Sequence, residues 1–373
     1  MMTLRHGGRA VAVLLALAAV SAPGGAVAAG TPSPPAPSPP ALTLPAPTGP
    51  HPVGTTWLHL TDHARPDPWR PEQPRELMVS MWYPAVAPVG RPAPYTTAAV
   101  SARVVAGTGL PLPPDVLTTV RTHARREVPV RPNRHGWPLV LLSPGFSLSR
   151  ESLTGLAEDL ASRGYVVAGI DHPYEAYGVE FPDGRVVGCL ACDEWGDGTA
   201  QKVIAGRTAD VSFLLDRLTA PRPVWRGFVD RRRVAMVGHS IGGASAVRTL
   251  VTDVRVDAAV DLDGTLFTPV GPTVRPVMLV GAERPADHSW VRDWPDLGGW
   301  KRWLTVTGSG HMSFTDRPVL GAQLGQDPGA IPAQRQMLIT REYVAAFVDR
   351  HLRARPAPLL DGPDPAYPEV TFR

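Results

Sequence analysis

Residues 234–245 read VAMVGHSIGGAS. The stretch contains Gly238-His239-Ser240-Ile241-Gly242, a G-x-S-x-G pattern. The pattern alone is weak, since roughly 0.1 copies arise by chance in a chain of this size at average glycine usage. Its flanks give it meaning. Arg233 to Val237 reads as a short buried strand, and Ile241 to Val251 is rich in Ala, Leu and Val and reads as a helix. A strand, a sharp turn and a helix are what a nucleophile elbow requires. Glycines let the backbone turn tightly. The turn presents the Ser240 hydroxyl above the sheet edge, with a helix N-terminus beneath it to favour developing negative charge. The plain alternative is an ordinary glycine-rich strand-to-helix turn.

The same alternation extends to both sides. Pro138–Leu142, Tyr165–Ile170, Val256–Leu262, Arg275–Val280 and Trp303–Thr307 read as apolar strands, and Glu151–Arg163, Thr199–Leu218 and Ile339–Leu352 as helices. Apolar strands between helices predict an α/β fold, with a mostly parallel central sheet and helices on both faces. Upstream, Thr56–Thr61 and Glu76–Tyr83 read as two strands joined by a turn-rich link, a hairpin. Residues 85–135 are Pro-rich with weakly helical pieces at Ala98–Val105 and Asp115–Thr122, and read as an insertion covering one side of the sheet.

A serine hydroxyl is a weak nucleophile at neutral pH; it needs a base, and the base an orienting acid. On this architecture they follow in the order nucleophile, acid, base. Three histidines follow Ser240: His288, His311 and His351. His351 sits among Arg350 and Arg353 and reads as solvated surface, and His288 has no strand just before it. His311 lies in Gly308-Ser-Gly310-His311, a loop at a strand end, and is the candidate base. For the acid, Asp261 and Asp263 end one strand, and Glu283 and Asp287 follow the next. Asp263 is nearer the strand's carboxyl end, where α/β sites lie. Asp261 is then a support for the loop, and a solvated surface carboxylate is the plain reading of either. The oxyanion donors expected are the Ile241 N–H and, from Pro144-Gly145-Phe146 after an earlier strand, the Phe146 N–H.

These stretches carry a resemblance. Leu-Leu-Ser-Pro-Gly-Phe (141–146), Ala-Ser-Arg-Gly-Tyr-Val-Val-Ala (161–168), Arg-Thr-Ala-Asp-Val (207–211), Gly-His-Ser-Ile-Gly-Gly (238–243) and Gly-Ser-Gly-His (308–311) are similar to those of an α/β-hydrolase. More narrowly they resemble bacterial relatives of the secreted platelet-activating-factor acetylhydrolases, with cutinase-like polyester hydrolases as neighbours. The resemblance spans roughly residues 55–352. Asp263 at the strand end favours the acetylhydrolase branch. The cutinase-like branch places its Asp just after Gly-Ala-Glu, where this chain has Gly281-Ala-Glu283-Arg284. Pro144 departs from the histidine usual in the acetylhydrolases. The resemblance implies hydrolysis of short or oxidised acyl esters of phospholipids, with transient lipid-surface contact. The alternative is a general carboxylesterase, lipase or polyester hydrolase. A hydrolase fold without activity, used for binding, is the reading from another class, and the ordered Ser, Asp and His set argues against it.

The 373-residue chain is 43% hydrophobic with a net charge of +3, enough for one large α/β domain. The charge is mild and has no long basic run, so nucleic acid is not an expected partner. Residues 1–28 read as an export signal: Arg5, His6 and Arg9, the apolar run Ala10–Val20, then Ala26-Val-Ala28. Residues 29–53, rich in Pro, Ser, Thr and Ala, read as a stiff spacer, which leaves 54–373 as the catalytic domain. Cys189 and Cys192 are the two cysteines; export favours a local disulfide over a redox pair or half a zinc site. No cluster has metal-ligand spacing, so neither a metal nor a cofactor is expected.

Overall fold

The computed structural model describes residues 41–219, 225 and 227–373. The export-signal reading of 1–28, and the spacer reading of 29–40, lie outside the described residues. Eleven strands form one sheet: β1 (Val53–Pro66), β2 (Pro74–Pro84), β3 (Arg91–Pro94), β4 (Arg121–Arg126), β5 (Trp137–Ser143), β6 (Val166–Asp171), β7 (Val229–His239), β8 (Ala258–Leu262), β9 (Val277–Ala282), β10 (Lys301–Val306) and β11 (Val370–Phe372). Their order is β11-β10-β9-β8-β7-β5-β6-β2-β1-β4-β3. The run from β10 to β6 is parallel. The β1–β2 hairpin joins β6 antiparallel, and β11 closes the other edge antiparallel.

Strand alternation sorts the core. Leu139, Leu141, Met236 and Leu279 face one way, against α3 (Thr199–Thr219) and α4 (Ile241–Thr252). Val140, Leu142, Val237 and Met278 face the other, against α2 (Thr154–Ser162) and α7 (Ala333–Arg353). Both faces of the parallel run are therefore covered, which explains why its strands read as unbroken apolar runs. Two shorter helices, α5 (His288–Asp293) and α6 (Arg317–Gln323), follow β9 and β10.

The segment 85–135 does two jobs. It supplies β4 and the edge strand β3, and α1 (Ala98–Thr108), which leads to a short helical turn at Val116–Thr119. The spacer reading fails for its described part. Leu42 and Leu44 are fully buried against Val120, Val319 and Met337, and the Leu44 N–H donates to the Arg121 carbonyl. Further on, Thr48 and Gly49 bond to Asp159 and Ser162 of α2. The domain thus begins before residue 54, because two leucines within a Pro-rich stretch find an apolar seat.

Candidate active site

Ser240 stands between β7 and α4 with φ 56° and ψ −129°, a region costly for a residue with a Cβ. The neighbouring glycines are required by contact. A Cβ on Gly238 would overlap the Gly242 backbone, and one on Gly242 would overlap the Ser143 carbonyl. One on Gly243 would strike the Asp261 carboxyl. The strand end, the turn and the first helical turn are thus pressed together, and the hydroxyl is forced outward.

His311 opens a helical turn just after β10, and its Nε2 lies 3.0 Å from Ser240 Oγ. Its Nδ1 lies 2.6 Å from Asp263 Oδ2. Asp263, just after β8, is buried, and its other oxygen accepts the Ala282 N–H at 2.8 Å and Arg284 Nε at 3.1 Å. An ionised carboxylate only accepts, so the His311 Nδ1–H donates to it and Nε2 is left to accept from Ser240.

The other candidates stand elsewhere. Asp261 is fully buried, with one oxygen accepting the Gly264 N–H at 2.7 Å. Burial, and then the charge of Asp263, pushes its carboxyl well above the usual range. It braces the turn at Gly264. Glu283 accepts the Gly308 N–H, and Asp287 caps α5. His288 is the exposed first residue of α5. His351 corrects the sequence reading. It is not solvated surface but lies against Trp300 and Phe347, with ring centroids 4.5 and 4.7 Å away. Burial, helped by Arg350, lowers it to about 4. Its arginine neighbours on the helix masked the apolar face it belongs to.

Neither the Ile241 N–H, at the start of α4, nor the Phe146 N–H, after β5, has a protein acceptor among the described residues. Ile241 follows Ser240 directly in the chain, and Phe146 and Ser240 line a cavity of about 470 Å³. Its walls are mainly apolar: Val104, Leu110 and Leu117 from the α1 segment, Leu320 and Leu324 from the α6 segment. Arg317 lies at its rim, exposed and without a side-chain partner among the described residues. A second cavity, of about 320 Å³, opens between β1–β2 and α1 and holds none of Ser240, His311 and Asp263. Cys189 and Cys192 are disulfide-bonded. The loop after them brings half-exposed Trp195 onto Phe146, ring centroids 4.5 Å apart. No group of three or more His, Cys, Asp or Glu among the described residues is arranged to hold a metal.

Two residues near this row escaped sequence reasoning. His239 is fully buried, and its Nε2 lies 2.8 Å from the His311 carbonyl. Burial, then the nearby His311 ring, lowers it to about 4, so it is neutral and donates through Nε2. Its position inside the G-x-S-x-G pattern was the available signal. Arg284 reaches Asp263 from β9's end. Only the fold brings those two together.

Comparison with known proteins agrees with this architecture. The family described as platelet-activating factor acetylhydrolase, isoform II, matches residues 38–177 and 222–355. A probable 1-alkyl-2-acetylglycerophosphocholine esterase of Arthroderma benhamiae is 29% identical over 274 residues, 64% of this chain and 67% of that protein. The platelet-activating factor acetylhydrolase of Cavia porcellus is 24% identical over 260 residues, 58% of each chain, so the match spans little more than half of that relative. The solved structure of a ferulic acid esterase from Streptomyces cinnamoneus is 47% identical, with a TM-score of 0.81 over 89% of this chain and 99% of its own. The chain belongs to the platelet-activating factor acetylhydrolase, isoform II family of α/β-hydrolase esterases.

Proposed function

We propose that the protein is a secreted serine ester hydrolase acting on short or oxidised acyl esters of phospholipids, with Ser240 as nucleophile, His311 as base and Asp263 as acid. The observation that carries this reading is the unbroken row Ser240–His311–Asp263, with contacts of 3.0 and 2.6 Å. Ser240 Oγ attacks the ester carbonyl carbon and passes its proton to His311 Nε2. The carbonyl oxygen takes the negative charge and receives the Phe146 and Ile241 N–H groups. The imidazolium, steadied by Asp263, returns the proton to the departing alkoxide, which leaves an acyl-serine. Water, deprotonated by His311, then releases the acid and restores Ser240.

Substrate class rests on the walls of the cavity and on the relatives. The apolar walls suit an acyl or aromatic group rather than a sugar or a peptide backbone. The family and the 1-alkyl-2-acetylglycerophosphocholine esterase favour the phospholipid ester. The 47% identical ferulic acid esterase supports a second reading, an aryl or general carboxylic ester. Secretion is supported by the leader-like residues 1–28 and by the Cys189–Cys192 disulfide. Turnover of purified enzyme across short-chain, long-chain, phospholipid and hydroxycinnamate esters tests the reading. A kcat/KM highest for acetyl phospholipid supports it. Preference for hydroxycinnamate selects the second, and no turnover of any, with no mass gain from a serine-reactive phosphonate, sinks both.

A further inference from the structure

Below the loop that carries Phe146 lies a second row of the same three residue types. His172 Nδ1 is 2.8 Å from Asp210 Oδ2, and His172 Nε2 is 3.1 Å from Ser143 Oγ. All three are at most 2% exposed, so no substrate reaches Ser143 and the row is not a second nucleophilic site. Ser143 ends β5 and His172 follows β6, while Arg207 and Asp210 lie one turn apart on α3, on the face above both strand ends.

The proton inventory fixes every direction in this row. Burial alone would raise Asp210, but Arg75, which reaches it at 2.8 and 3.1 Å, and His172 hold its carboxyl far below the ordinary range. It is ionised and only accepts, so the His172 Nδ1–H donates to it. Burial, then the Arg207 charge, lowers His172, which is therefore neutral and accepts at Nε2 from the Ser143 hydroxyl. Ser143 Oγ accepts in turn from Arg207 Nη1 at 3.3 Å. The same Nη1 donates to the Pro144 carbonyl, while Arg207 Nε donates to Glu175 Oε2 at 2.7 Å. The Glu175 carbonyl then accepts the Ser147 N–H at 2.9 Å. The loop is gripped at Ser143, Pro144 and Ser147, and Phe146 lies inside the grip with its N–H free of acceptors among the described residues.

Buried ion pairs of this kind add little net stability over apolar residues of equal volume, so stability alone is a poor account of them. We propose that Arg207, braced by the Ser143–His172–Asp210 row and by Glu175, is a positioning residue that holds the Pro144–Phe146 backbone with the Phe146 N–H set for the oxyanion. This rests on the assignment of Phe146 as an oxyanion donor. No bond is made or broken in the row; its effect is preorganisation, which is realised in the transition state and not in substrate binding.

The test compares a trifluoromethyl ketone, which adds Ser240 and places an oxyanion in the hole, with its methyl ketone analogue. The variants are the double substitution Arg207→Met with Glu175→Gln, which removes both charges together, and Ser143→Ala. In the double variant kcat falls ~10–100-fold with KM within about twofold, short of the 10²–10³ that follows outright loss of an oxyanion donor. The trifluoromethyl ketone's advantage over the methyl ketone falls by the same factor. Ser143→Ala loses about threefold to tenfold in both quantities, and carries the test alone if the double variant does not fold. A folded variant that keeps both kcat and the ketone preference overturns the positioning role. So does a loss of kcat that merely tracks the unfolded fraction in a melt. A wild-type enzyme with no preference between the two ketones overturns the oxyanion assignment beneath it.

Discussion

Replacing Asp263 by Asn tests the arrangement around Ser240 most sharply, because the structure dictates which way the amide must turn. Asp263 Oδ1 accepts from two donors, the Ala282 N–H and Arg284 Nε. An NH2 group there would face both, so the amide oxygen takes that position and the NH2 is turned toward His311 Nδ1. A donor facing Nδ1 forces the imidazole into the tautomer that carries its proton on Nε2. That nitrogen can no longer accept the Ser240 proton. In a serine protease the same replacement lowers kcat ~10⁴-fold, about 5 kcal/mol of barrier. A comparable loss is expected here, with shape and fold retained. The control carboxylates predict the opposite: Asp261→Asn keeps an oxygen for the Gly264 N–H, while Glu283→Gln and Asp287→Asn alter a backbone contact and a cap. The assay is steady-state kcat/KM on p-nitrophenyl acetate for the four variants, each with a matched unfolding curve. A near-normal Asp263→Asn beside a crippled Asp287→Asn would refute the tautomer argument and move the acid to the loop after β9.

Ser240→Ala should abolish turnover and phosphonate labelling while leaving the melting curve intact, and near-normal hydrolysis by that variant would end the nucleophile assignment. Incubation with EDTA should leave the rate unchanged; loss restored by a divalent cation would require a metal step. Gly243→Ala should destabilise by about 1–3 kcal/mol, because its methyl group strikes the buried Asp261 carboxyl, as a lowered urea midpoint would report. Asp316 supplies the pH dependence. Burial, reinforced by Glu158, raises it to about 8, whereas in the unfolded chain it titrates near 4. Between those values the native state holds a proton that the unfolded state has lost, so stability falls as pH rises from about 4 to 8, by at most about 1.4 kcal/mol per pH unit. Asp316→Asn should remove that slope; urea unfolding at pH 5.5 and 8.5 that shows equal losses in both proteins would refute it.

The parts of the fold that sequence made legible are those written in local pattern. The parallel strands announce themselves because both sheet faces are covered, and Ser240 because three close contacts, two with backbone and one with the Asp261 carboxyl, each exclude a Cβ. His311 and Asp263 followed from chain order and strand ends, and they lie in one hydrogen-bonded row with Ser240. What stayed hidden was non-local or disguised. Leu42 and Leu44 sit in a composition that reads as spacer, yet their partners are near residues 120, 319 and 337. His351 reads as surface from its charged neighbours, although Trp300, which buries it, comes from another element. The Arg207 network joins residues from Arg75 to Asp210, and no spacing rule reaches across so many elements.

That division has a physical cause that also explains why the reaction is easier to read than the substrate. The proposed Ser240–His311–Asp263 row is set by backbone constraints: a serine at positive φ, glycines under contact, and a histidine in the loop at a strand end. Few residue types satisfy them, so they leave a recognisable pattern. The cavity walls obey only volume and apolarity, and Leu, Val or Met serve almost equally well. Their sources, the segments around α1 and α6, are more than two hundred residues apart, and the first of them has no strong period. Substitutions there can change the acyl group accepted without disturbing Ser240, His311 or Asp263. Family membership therefore carries less weight for specificity than for reaction class: one relative is named a probable 1-alkyl-2-acetylglycerophosphocholine esterase and another a ferulic acid esterase. The side chains at 104, 110, 117, 320 and 324 are where a change of substrate should be sought.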